Sequence, residues 1–157
     1  MFNPPRPTIT DEMISEAATK YIHANPELLE AADNDDDWET AANDMAECYK
    51  DDGYEMAAEL DNKCLWQIDA AIVAVLDDFR SYVDDELEKA VKAWVAEHNI
   101  QPPLKKGTRV EFYHGRLKTG VITGVYKHKA GCYEIKMDDE PHENMRAIVK
   151  YELAKPA

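Results

Sequence analysis

Asp33-Asn34-Asp35-Asp36-Asp37 sets oxygen-bearing side chains at the first, third and fifth positions of a calcium-loop spacing, and Asp44 falls at the twelfth. A calcium loop also needs glycine at its sixth position for the sharp turn and a bidentate glutamate at its last. Trp38 and Asp44 stand there instead, so the segment reads as an acidic loop. Asp139 and His142 lie three apart, but in a stretch whose composition marks a turn, where such a pair shapes the loop. The five histidines (His23, His98, His114, His128, His142) are scattered, and none stands at zinc-ligand spacing from Cys48, Cys64 or Cys132. No glycine-rich phosphate loop, HExxH helix or GxSxG elbow is present. These residues predict no catalytic centre, no metal site and no cofactor. The chain reads as a non-enzymatic binding protein.

The chemistry it offers is charge. The 157 residues carry a net −14. Residues 1–100 hold 25 Asp+Glu against 7 Lys+Arg, whereas residues 101–157 hold 7 against 11. The acids occur in runs rather than alternating with lysine as on a salt-bridged helix. The candidate acidic face is Asp33, Asp35, Asp36, Asp37, Glu39, Asp51, Asp52, Asp77, Asp78, Asp84, Asp85 and Glu86. One acid in four helical residues is one charge per about 6 Å of helix axis. A DNA strand carries one per about 3.4 Å, so two or three acidic helices side by side would match its field. Grouping like charges costs stability, which suggests a return in binding. The alternative is an acidic helical domain whose charge only keeps it soluble.

Helical elements must position these acids. Pro4, Pro5 and Pro7 predict an irregular arm over 1–9. Thr10 is an N-cap, and Met13, Ile14, Ala17, Ala18, Tyr21 and Ile22 predict a helix over 11–23. Pro26 starts a short helix over 27–32, and Trp38, Ala41, Ala42, Met45 and Tyr49 mark the face of a third, broken at Asp51-Asp52-Gly53. Residues 54–100 contain no Gly or Pro. They predict one long helix, suited to a coiled-coil dimer, or two helices bent near Arg80–Asp85 with Ser81 capping the second. The helical domain is thus expected over 10–100, followed by a Pro-rich hinge at 101–103.

Beyond Pro102-Pro103 the hydrophobic period changes to two. Val110 and Phe112 share one side of an alternating strand, Thr119–Lys127 is rich in β-formers, Tyr133–Met137 alternates again, and Ala147–Leu153 offers a last strand. Turns fall at His114-Gly115, Ala130-Gly131 and Asp138–Pro141. Gly107-Thr108-Arg109-Val110, Gly115-Arg116, Gly120-Val121-Ile122 and Tyr133-Glu134-Ile135-Lys136-Met137-Asp138-Asp139 together resemble the SH3-like small barrels of the Tudor and KOW group. The likeness covers about a third of the chain, and Glu140-Pro141 departs from the glycine usual after the paired aspartates. It implies an α+β protein: an acidic helical bundle followed by an antiparallel SH3-like β-barrel over 104–155. Such barrels bind nucleic acid, methylated side chains, proline-rich peptides or no known ligand; the candidate contacts here are Lys105, Lys106, Arg109, Tyr113, Arg116 and Lys118, and the alternative is a solvated surface that balances the acidic helices. Tyr113, Tyr126, Tyr133 and Tyr151 are the rings available for a methyl-cation cage.

Residues 1–100 suggest a DNA mimic, an inhibitor or adaptor of the anti-CRISPR or anti-restriction kind from a phage or mobile element, occupying the basic groove of a nucleic-acid-binding partner. The competing expectation is that the barrel is the active module and the helices dimerise or dock. A virion or structural component assembled through the long helix is a third. No apolar run approaches the roughly 20 residues of a membrane span, and the odd, dispersed cysteines suggest reduced thiols. The expected setting is the cytoplasm, as a monomer or homodimer.

Overall fold

The computed structural model describes residues 2–33 and 37–157. It is an α+β protein in which, among the described residues, six helices precede a five-stranded antiparallel sheet. Contacts divide the chain into two compact units, Thr8–Leu87 and, together, residues 2–7 with Glu88–Ala157. The division differs from the one composition suggested. It falls inside the last helix, not at Pro102-Pro103. Ile100 and Leu104, on either side of that pair, both pack on the sheet core. The Leu104 N–H also donates to the Tyr133 hydroxyl at 2.8 Å, so the prolines lie within the second unit.

In the helical unit, α1 (Asp11–Ala24) begins where expected, with the Thr10 hydroxyl accepting from the Met13 N–H. α2 (Glu27–Ala31) and α3 (Trp38–Glu47) follow. The Gly- and Pro-free stretch is neither one helix nor two. It forms α4 (Gly53–Cys64), an irregular link over 65–69, α5 (Ala70–Asp77) and α6 (Phe79–Glu97). Leu65 ends α4 in the left-handed conformation (φ 58°), a state costly for a β-carbon-bearing residue. Trp66 supplies the compensation: it is 1 % exposed, and its indole N–H donates to Asp44 at 3.0 Å. Asp69 then caps α5 by accepting from the Ile72 N–H at 2.8 Å. The expected cap Ser81 lies inside α6, its hydroxyl donating back to the Asp78 carbonyl. Tyr21, Ile22, Leu28, Met45, Met56, Leu60, Trp66, Phe79 and Val83 fill the core.

In the second unit, β1 (Arg109–His114), β2 (Arg116–Val125), β3 (Cys132–Met137) and β4 (Ala147–Lys150) form a meander. A 3-10 turn (Tyr151–Leu153) then returns the chain to β5 (Lys155–Pro156), which pairs with β1. The order is β4-β3-β2-β1-β5, and β4 and β5 remain the two ends, so the sheet is open where a closed barrel was expected. β5 is two residues long and ends on Pro156, which has no N–H to extend the ladder. Gly115 makes the β1–β2 turn at φ 70°. Val110, Phe112, Ile122, Tyr133, Ile135 and Val149 are the core, with Phe2 packed on it. Arg6 reaches the carbonyl of Gly131 at 2.6 Å and the carboxylate of Glu152 at 3.0 Å, and its guanidinium lies 5.2 Å from the Trp94 ring centre. The Trp94 indole N–H donates to the Pro4 carbonyl. The N-terminal arm is therefore a fastened part of this unit.

Candidate acidic binding surface

Re-dividing the chain at Leu87/Glu88 sharpens the charge contrast. Residues 8–87 hold 23 Asp+Glu and 4 Lys+Arg, a net of −19; the remainder holds 9 against 14, a net of +5. Among the described residues no polar or charged side chain is buried, so the described acids lie outside the core.

Several nominated acids have structural tasks. Asp37 caps α3, accepting from the Thr40 N–H at 3.1 Å and the Thr40 hydroxyl, which holds its carboxyl below the usual range. Asp52 caps α4 through the Glu55 N–H at 2.9 Å. Asp77 accepts from the Gly53 N–H at 2.8 Å. Asp51 accepts from the Tyr49 hydroxyl at 2.9 Å and lies 3.9 Å from Arg80, which also reaches Asp84 at 3.7 Å. Glu86 pairs with Lys20. The acid runs thus coincide with helix starts and junctions, where carboxylates satisfy orphan N–H groups. Asp33, Glu39, Asp78 and Asp85 are exposed, and no described hydrogen bond or ion pair engages their carboxylates. Asp35 and Asp36 lie outside the described residues.

The sequence reading missed a cleft of about 620 Å³ in this unit. Its lining includes Glu27, Glu30 and Asp69 together with Ile68, Ile72 and Val75. A lining shared by carboxylates and aliphatic side chains suits the aliphatic stem and cationic head of an arginine or lysine. Glu27 and Glu30 were legible as acids. Their meeting with Ile68 depends on the link over 65–69, which no periodicity signals.

On the sheet unit, the nominated basic strip is largely neutralised from within. Arg109 forms a two-point contact with Asp138, which also accepts from the Thr119 hydroxyl at 2.6 Å. Arg116 lies 2.9 Å from Asp139, which Lys118 also contacts. The Thr119 hydroxyl holds Asp138, and Lys118 and Arg116 hold Asp139, below the usual carboxylate range. Lys105 and Lys106 are exposed, with no described partner. Tyr113 is 75 % exposed opposite Leu117, 65 % exposed, across the β1–β2 pair.

The other expectations are dispersed. Tyr133 and Tyr151 pack with tilted rings, centroids 4.5 Å apart, inside the core, so the four tyrosines do not converge on one cage. The His142 backbone N–H donates to Glu140, while Asp139 serves Arg116 and Lys118. Asp44, the twelfth position of the calcium-like spacing, is occupied by Trp66. Among the described residues no three His, Cys, Asp or Glu form a group that could hold a metal, and no helix is long and apolar enough to cross a membrane. No protein family model, curated protein or solved structure matches the chain.

Proposed function

We propose that the protein is a non-enzymatic acidic binding protein whose helical unit occupies the basic nucleic-acid groove of a partner protein, as a DNA mimic acting as inhibitor or adaptor. The observation that carries this reading is the ratio of 23 acids to 4 bases over residues 8–87, with every described acid outside the core. The ion pairs described for Lys20, Lys63 and Arg80 reach Glu16, Glu86, Glu59, Asp51 and Asp84, and four bases cannot offset 23 acids, so most of the negative charge is uncompensated. Acids that cap helices still project charge, so a structural task does not remove them from the field. A cytoplasmic nuclease or effector complex that binds DNA has the complementary groove, and phage or mobile elements encode inhibitors of this charge and size. Capture on the tagged intact protein, washed at rising salt and competed with duplex DNA, tests the reading. A basic DNA-binding protein released by both is the expected result. Binding indifferent to salt would sink it.

A second reading places function on the sheet unit, as an SH3-like module that binds nucleic acid or peptide. Its support is the strand order 5-1-2-3-4 with a 3-10 turn before β5, the exposed Tyr113–Leu117 pair and the unpartnered Lys105 and Lys106. Replacing Lys105, Lys106, Arg109 and Arg116 together by Glu abolishes binding under this reading and spares it under the first.

A further inference from the structure

Cys48 closes the C-terminus of α3, and Cys64 is the last residue of α4. Their sulfurs lie 3.8 Å apart. The Cys48 side chain is buried and that of Cys64 is half-buried. Cys132 belongs to the other unit, where its thiol faces the Ala130 carbonyl at 3.7 Å. A disulfide has its sulfurs about 2.05 Å apart, so closure needs an approach of about 1.8 Å. Both cysteines sit at helix ends, where the backbone is less constrained than in a helix interior. The segment after Cys64 is irregular over 65–69.

We propose that Cys48 and Cys64 form a dithiol modification site that is oxidised by a small-molecule disulfide of the glutathione class, closing an intramolecular bond between the ends of α3 and α4. Cys64, the more accessible, reacts first: its thiolate attacks one sulfur of the oxidant, breaking the S–S bond and releasing one glutathione thiolate. The Cys48 thiolate then attacks the Cys64 sulfur of the mixed disulfide and displaces the second glutathione. Two protein thiols give up two protons and two electrons, and the oxidant is reduced to two thiols. Asp44 on α3 and Glu59 and Lys63 on α4 face the pair. Burial, with the hydrogen bond to Cys48 and then Asp44 adding to it, pushes the Cys64 thiol up to about 12, and burial also raises Cys48 against the opposing hydrogen bond from Cys64 and the pull of Lys63. Exchange is therefore slow at neutral pH and accelerates as the thiolate fraction grows. The product closes a loop that restricts the unfolded chain, so the oxidised protein unfolds at a higher temperature.

The test equilibrates the intact reduced protein with graded mixtures of oxidised and reduced glutathione at mildly alkaline pH. Samples are quenched in acid, alkylated and weighed. At oxidising ratios one cysteine, Cys132, takes the alkylating label instead of three. A cross-linked peptide pair joins Cys48 to Cys64, and the thermal midpoint rises. Cys48→Ser stops at a glutathione adduct on Cys64. Three labelled cysteines at every ratio after prolonged alkaline equilibration would overturn the proposal. So would a wild-type protein that stops at the glutathione adduct, or a bond that includes Cys132.

Discussion

The Asp77 carboxylate accepts the backbone N–H of Gly53 at 2.8 Å, joining the end of α5 to the start of α4. A β-carbon on residue 53 would lie 2.6 Å from the Asp77 nitrogen and 2.8 Å from its Cα, backbone atoms that cannot swing aside. Gly53→Ala is expected to lower unfolding stability by about 1–3 kcal/mol through overpacking. Asp77→Ala is expected to lower it by about 1 kcal/mol through the lost acceptor. Urea unfolding of each variant checks this; a Gly53→Ala midpoint equal to that of the parent would mean that the close approach is not made in solution.

Acids with structural tasks and acids without them should separate in a paired measurement. Neutralising Glu39, Asp78 and Asp85 to their amides is expected to move the urea midpoint little, since surface substitutions away from caps and ion pairs usually stay within about 0.5 kcal/mol each. The same change should weaken partner capture several-fold if the charge reading holds. Asp52→Ala, which removes the α4 cap, should cost about 1 kcal/mol of stability. Equal stability losses in both sets would remove the distinction.

Tyr21 and Tyr49 set an alkaline limit. Burial, assisted by Asp78, pushes Tyr21 up to about 12; burial and the Asp51 hydrogen bond do the same for Tyr49. Tyr21 also donates to the Val75 carbonyl. An unfolded tyrosine ionises near 10. The folded state therefore holds these protons more tightly. The resulting stability is fully present below about pH 10 and is lost as pH rises towards about 12. Burial also raises Tyr133 and Tyr151 in the sheet core, so ultraviolet titration should show four of the eight tyrosines ionising late. Simple titration of all eight near pH 10 in the folded protein would contradict the burial described.

Arg6 tests the placement of the N-terminal arm. It contacts Glu152, the Gly131 carbonyl and the Trp94 ring, residues far from it in sequence. Arg6→Ala is expected to cost about 1.5–3 kcal/mol, the range for hydrogen bonds to a charged group. The loss should appear in the unfolding of the sheet unit, read by amide exchange in β3 and β4. Unchanged protection there would detach the arm from the sheet.

Local rules made much of the fold readable. Thr10 before an apolar period of three and four gave α1 its start, because a cap and an amphipathic face are properties of neighbouring residues. The alternation around Val110 and Phe112, and at Tyr133–Met137, marked β1 and β3 for the same reason. The uneven charge was also a property of the sequence alone. Tertiary contacts decided the rest. Nothing local breaks the chain at Leu65; burial of Trp66 against Asp44 outweighs the helical preference of a Gly- and Pro-free stretch. The unit boundary inside α6 follows from partners as distant as Arg6 and Glu152, which no composition window joins. The sequence determined how much acid the protein carries. Only the folded chain decided which carboxylates cap helices, which line a cleft and which are left to solvent, because a carboxylate's task depends on the N–H groups and side chains that folding brings beside it.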